Sequence, residues 1–236
     1  MKKSVFTLIS LVLFGCTDKM PYNDSVGYDD YNLYDYYTDG RGGEGVVAYK
    51  GSIFMVVISS DETAAKWGPE DRVVMPFNDY ANVKYPRNFV YAVDMNQMVE
   101  RANLKDYPAF AWCQAKNPNG ERVHVTSWIL PSEEMLNRMF NGRSDQLDSA
   151  LTSFGMTPLS DSEAYWTCTE DVDGYFQFAD DDVQSQYDYD PASRAIPILR
   201  GAYYYGWKTK WQKSKEYRVR AVKIIHYNYP VEDDDD

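Results

Sequence analysis

The chain has 236 residues, 44% of them hydrophobic and 16% aromatic, so a sizeable core is available to one large domain or two small ones. Its formal net charge of −12 repels phosphate backbones, which excludes nucleic acid as an expected partner. Only two histidines are present, which excludes a histidine-rich zinc centre.

Lys2 and Lys3 precede an apolar run from Val5 to Phe14 that stops at Gly15-Cys16. Basic residues, an apolar stretch, a small residue and a cysteine make the order of a lipoprotein secretory signal. The apolar run is about ten residues, short of the roughly 20 that a spanning helix needs. Residues 1–15 are therefore expected to be a removable signal peptide, with Cys16 the lipidated first residue of the mature protein. The expected partner is a membrane, held through Cys16. The expected location is the cell envelope, at the outer membrane or cell surface of a Gram-negative bacterium. Residues 16–42 are rich in Tyr, Asp, Asn and Gly and read as a flexible tether. Their tyrosines leave open that part of the segment packs back onto the domain. Gly40 to Gly45 reads as a turn-rich boundary.

Val46–Tyr49 and Ile53–Ile58 read as two strands of a hairpin, joined through Lys50-Gly51-Ser52. Residues 59–88 read as irregular chain anchored by Trp67. Phe89–Val93 has the composition of a short strand. A helix capped by Asp94 or Asn96 is expected next, using Met95, Met98, Val99 and Ala102. Pro108 then opens a second helix carrying Phe110, Ala111, Trp112 and Ala115. Asn117-Pro118-Asn119-Gly120 is a turn, and Val123-His124-Val125 alternates like a strand. Ser132 caps a helix whose first turn holds Glu133 and Glu134 and whose apolar face is Met135, Leu136, Met139 and Phe140. Another helix runs from Ser144 through Leu147, Leu151 and Phe154 to Gly155. Tyr165–Thr169, Tyr175–Phe178, Ala202–Trp207 and Tyr217–Tyr227 read as strands, with an acidic loop over 180–195. Residues 228–236 are an acidic tail.

Several blocks resemble a family. Trp128-Ile129-Leu130-Pro131-Ser132 with Glu134 and Leu136 resembles the W-x-L-P-S, E, L segment of bacterial exported domains with a C-type-lectin-like fold, the DUF1566 and Fibrobacter-major-paralogous groups. Tyr165-Trp166-Thr167-Cys168-Thr169-Glu170 is similar to their Y-W-S-S-T-E block. Tyr217–Val222 is similar to their closing strand, Gly45–Tyr49, Met55–Val57 and Lys66–Gly68 to their opening strands, and Phe110–Cys113 to their helical block. The resemblance covers residues 43–227. It implies one α+β domain of C-type-lectin-like fold, with two or three helices packed on twisted antiparallel strands, long loops, and the first and last strands paired. Cys168 stands where the family usually has Ser. Calcium-dependent sugar binding in related folds uses Glu-Pro-Asn or Gln-Pro-Asp with Trp-Asn-Asp, and none of these triplets occurs here.

Candidate functional residues are few. Cys113 and Cys168 form either one disulfide, as an oxidising compartment allows, or two buried thiols. Asp171, Asp173, Asp180, Asp181 and Asp182 surround Gly174 and could supply hard oxygen ligands to a weak calcium site, though without EF-hand spacing; a solvated acidic loop is the plainer reading. No other cofactor is expected. Tyr204 and Trp211 lie in an aromatic-rich stretch where exposed rings would form a binding surface. Arg218 and Arg220 read as partners of nearby acids. There is no H-E-x-x-H, P-loop or G-x-G-x-x-G segment. The expectation is a non-enzymatic, lipid-anchored module for adhesion or recognition of a glycan or surface protein; the alternative is a structural component of an envelope assembly.

Overall fold

The computed structural model describes residues 26–70, 74, 89–118, 121–140, 144–160, 162–170, 194–199 and 211–228. The protein is α+β, with antiparallel sheets and, among the described residues, four α-helices. One sheet has the order β1-β2-β3-β10-β5, built from Tyr36–Thr38, Glu44–Lys50, Phe54–Ser59, Val222–His226 and Trp128–Ile129, each neighbour antiparallel. The other has the order β4-β9-β6-β7-β8, from Thr63–Lys66, Glu216–Val219, Ala164–Glu170, Arg194–Leu199 and Trp211–Gln212. Its one parallel contact joins Tyr165 to Arg218.

The opening hairpin forms as its sequence predicts. Met55 to Ser59 are all buried, which explains a continuous apolar run in place of alternation. Gly45 lies so close to the Ile58 carbonyl that a Cβ there would overlap it. The β2–β3 register slips between Val47 and Tyr49, a bulge that leaves Ala48 without a partner. The closing strand β10 pairs with β3 and β5, and not with β1, which is an edge strand.

The helices are α1 (Phe89–Asn103), α2 (Pro108–Gln114), α3 (Glu133–Phe140) and α4 (Ser144–Ser153). Pro108 opens α2 as expected. Ser132 Oγ accepts the Met135 amide at 3.4 Å, and Met135, Leu136, Met139 and Phe140 are buried. Gly155 adopts φ +73° after α4, with the Gly155 amide bonded to Thr152 O and the Met156 amide to Leu151 O. That is the paired bonding of a Schellman stop.

Three expectations are corrected. Residues 26–42 are domain and not tether from Val26 onward: Val26 bridges Tyr227, Tyr36–Thr38 is a strand, and Tyr37 is buried. Phe89–Val93 is the first turn of α1 and not a strand, so neither Asp94 nor Asn96 is a cap. Asn96 is instead buried within α1. Its amide accepts the Leu130 N–H at 3.0 Å and donates to the Leu130 carbonyl at 2.9 Å. Asn117 does the same for Trp128, at 2.7 and 3.0 Å. Two asparagine side chains thus pair the backbone of edge strand β5 that β10 leaves open. Val123–Val125 is not a strand; His124 and Ser127 close a turn there, through His124 N to Ser127 Oγ and Ser127 N to His124 O.

The two sheets meet where the chain passes between them, at 59–63 and 219–222. Arg220, with no exposed side-chain surface, donates to Ser59 O at 2.8 Å and Thr157 O at 2.8 Å, and pairs with Glu62 at 3.1 Å. Glu62 also accepts the Tyr165 hydroxyl at 2.6 Å and faces Arg218 at 3.3 Å. Burial pushes the Arg220 guanidinium below its ordinary value, and the Glu62 carboxylate opposes that shift. Removing Glu62 leaves this cation buried and unpaired. The Glu62→Ala variant is expected to lose about 3–5 kcal/mol of stability in urea unfolding. Arg218→Ala, at the solvent side of the same carboxylate, is expected to lose no more than about 1 kcal/mol.

Candidate functional site

A cleft of about 590 Å³ lies at the end of the first sheet where β2 begins and β3 stops. Arg41, Glu44, Ser60, Asp61, Lys116 and Asn117 are among the residues lining it. Its rim is the turn Asp39–Gly43. The Asp39 carboxylate accepts the Arg41 and Gly43 amides, both at 2.9 Å, and the Trp128 indole N–H at 3.3 Å, and faces Lys223 at 3.4 Å. Gly42, at φ +101°, lets the chain return tightly. A Cβ on Gly43 would overlap the Asp39 carboxylate and the Trp128 indole nitrogen. The floor is tied down by Ser60, whose amide donates to Glu44 O at 3.1 Å and whose carbonyl accepts the Thr157 amide at 3.0 Å.

The charged groups in and around this cleft are engaged with neighbours. Lys116, at the end of α2, pairs with Asp61 and sits 4.1 Å from the Trp112 ring centroid. Arg41 faces Glu121 at 3.5 Å, and Glu121 also contacts His124 at 2.6 Å. Glu44 accepts the Tyr36 hydroxyl at 3.0 Å, a bond that raises the phenol above its ordinary value. Tyr36 carries the cleft outward to an exposed aromatic pair. Its ring lies 5.6 Å from that of Phe154, and the two residues are 40% and 45% exposed. Such an arrangement offers stacking faces beside a set of carboxylate, hydroxyl and ammonium groups.

The residues singled out from sequence fall elsewhere. Cys16, Tyr204 and the acidic set Asp171, Asp173, Asp180, Asp181 and Asp182 lie outside the described residues. Trp211 starts β8, and its side chain is not described. Cys113 on α2 and Cys168 on β6 are free thiols with no exposed surface, so the disulfide reading gives way to the buried-thiol one in this structure. Burial pushes both thiols upward, which leaves them unreactive at neutral pH. Among the described residues no group of His, Cys, Asp and Glu is arranged to hold a metal ion. No described helix is long and apolar enough to cross a membrane. Phe154, expected on the apolar stripe of α4, stands outward with Tyr36.

A second buried ion pair joins Lys213 to Glu170 at 2.5 Å, with the ammonium 4.5 Å from the Trp67 ring centroid. Glu170 also accepts the Val74 amide at 3.1 Å. With 0% and 1% of their side chains exposed, these groups cross-brace the second sheet and offer no surface to a substrate.

The cleft rim carries a pH dependence. Burial alone would raise the Asp39 carboxyl; the Arg41 amide, Lys223, the Gly43 amide and the Trp128 indole outweigh it and hold the group below its ordinary value of 3.8. Its stabilising contribution is therefore complete above about pH 4 and is lost as pH falls through the lower, folded-state value. Asp39→Asn is expected to reduce stability at pH 7 and to flatten the acid limb of a stability-against-pH curve measured by urea unfolding. No protein-family model matches the chain, and no curated protein matches it.

Proposed function

We propose that this chain is a lipid-anchored cell-envelope module that recognises a glycan, or a protein partner presenting one, without catalysing a reaction. The observation that carries this reading is the exposed Tyr36–Phe154 ring pair beside a polar cleft. Sugars have one apolar C–H face and a rim of hydroxyls. Aromatic faces match the first, and neighbouring carboxylates, ammonium groups and backbone carbonyls match the second. Lys116 is paired with Asp61, Arg41 with Glu121, and the Glu44 carboxylate holds the Tyr36 hydroxyl. This leaves the cleft carboxylates engaged as partners and not set apart as acid and base.

The C-type-lectin-like reading stands on the order of the five sequence blocks. It is supported by the α+β layout, in which those blocks become the opening hairpin, α2, β5 with the cap of α3, β6, and β9–β10. The envelope location rests on the basic, apolar, small-residue and cysteine order at residues 2–16.

The test is a glycan array followed by titration calorimetry on the mature chain, with and without calcium. Saturable binding to a neutral oligosaccharide is expected. Tyr36→Ala and Phe154→Ala should each weaken it by about tenfold, the loss of one stacking contact of roughly 1.4 kcal/mol. Binding that neither variant alters would remove the cleft from the account, and turnover of a bound sugar would overturn the non-catalytic assignment.

A further inference from the structure

The two ends of the first sheet differ in chemistry. At one end lie Thr38, Glu44 and Ser59–Asp61, the cleft end. The opposite end is the β2–β3 hairpin tip. Val26 joins the sheet there: its amide donates to His226 O at 3.4 Å, its carbonyl accepts the Asn228 amide at 2.9 Å, and the neighbouring Tyr227 amide donates to Ile53 O at 3.2 Å. The six residues of β3 separate the two ends by about 20 Å.

Val26 is ten residues from Cys16, a length of chain that cannot exceed about 36 Å. On the lipid-anchor reading, the hairpin tip is therefore held within reach of the bilayer. A connection of that length does not by itself orient the domain, and the surface of the tip supplies the rest. Ile53 is 57% exposed, more than any other large apolar residue described. Tyr28, whose ring lies 5.0 Å from that of Tyr227, is 46% exposed, and the Lys50 ammonium stands 3.9 Å from its ring centroid. An apolar tip, an amphipathic ring and a lysine that can reach upward are the groups that settle at the headgroup boundary. Asp29 and Asp30 are exposed at the same end. These carboxylates disfavour an anionic lipid surface.

We propose that the hairpin tip, centred on Ile53 with Tyr28 and Lys50, is a docking surface for zwitterionic phospholipid, and that it turns the cleft away from the membrane. This rests on the lipid-anchor part of the proposed function and not on the identity of the glycan.

The experiment uses the lipidated full-length mature chain in phosphatidylcholine–phosphatidylethanolamine vesicles carrying a headgroup quencher. A fluorophore is placed on Ser52→Cys or, separately, on Thr38→Cys; both positions are exposed, whereas Cys113 and Cys168 are buried. Quenching at Ser52 is expected to exceed that at Thr38 several-fold, to fall to the Thr38 level when Ile53→Asp is added, and to decrease when phosphatidylglycerol is included. Equal quenching at the two positions, or stronger quenching at Thr38, would overturn the docking surface, as would increased quenching on anionic vesicles. The mass of the N-terminal fragment reads the anchor independently. An acylated Cys16 with equal quenching removes the docking surface alone; an unmodified Cys16 removes the anchor and the docking surface together.

Discussion

A single buried guanidinium at the crossing between two sheets sets the geometry of this protein. The chain first passes from the first sheet to the second after β3 and makes its last return after β9. Arg220 on the return takes the carbonyl of Ser59 and the carboxylate of Glu62 on the outward passage, and also Thr157 from the segment after α4. Glu62 in turn holds Tyr165 of β6 and Arg218 of β9. The groups around this pair come from three stretches of chain, 59–62, 157–165 and 218–220. A buried charge tolerates only a satisfied surrounding, so Arg220, Glu62 and the Ser59 and Thr157 carbonyls must arrive together or the charge is stranded. That is a strong constraint on how the sheets are stacked, and the apolar core on either side then packs in one arrangement.

The cleft follows from this crossing. Ser60 and Asp61 lie between the clamp residues Ser59 and Glu62, so their positions are inherited from it. Thr157 links the same point to the end of α4, and Phe154, three residues earlier, is thereby placed beside Tyr36. The opposite wall is set by Asp39, which gathers two amides, an indole and an ammonium into one turn. Asn117 contributes by a different route: it is occupied in pairing Trp128, and this fixes where the α2 end and Lys116 stand. The polar groups that line the cleft are therefore backed by buried ones, which holds them in place.

Local chemistry made part of this legible. Ile53–Ile58, Pro108, Ser132 and the Leu151-to-Gly155 spacing each state a local preference that the fold does not override. Other segments mislead for physical reasons. Phe89-Val90-Tyr91 has strand composition, but it opens the 15-residue helix from which Asn96 reaches Leu130. Arg218 and Arg220 read as partners of nearby acids, and both face Glu62; the single strand expected over 217–227 is instead two, β9 and β10, with Arg220 in the gap between them and buried. The tyrosines of 26–38 carry no single periodicity: Tyr37 is buried, Tyr31 and Tyr34 pack against the core, and Tyr28 and Tyr36 are exposed. The cleft was hardly legible, since three separated and individually ordinary segments, 41–44, 60–61 and 115–118, build it. Asp39 with glycines at 40, 42 and 43 is the one local signal that could have marked its rim, as a side chain able to bond its own turn.

The account makes both sheets one cooperative body joined through the Arg220–Glu62 crossing. Native-state amide hydrogen exchange on the full chain in low concentrations of urea tests this directly. Buried amides of β3 and of β6 are expected to open with the same free energy and the same urea dependence. If the β6 amides exchange through a separate, lower-energy opening while those of β3 stay protected, the sheets are independent bodies and the crossing does not organise the fold.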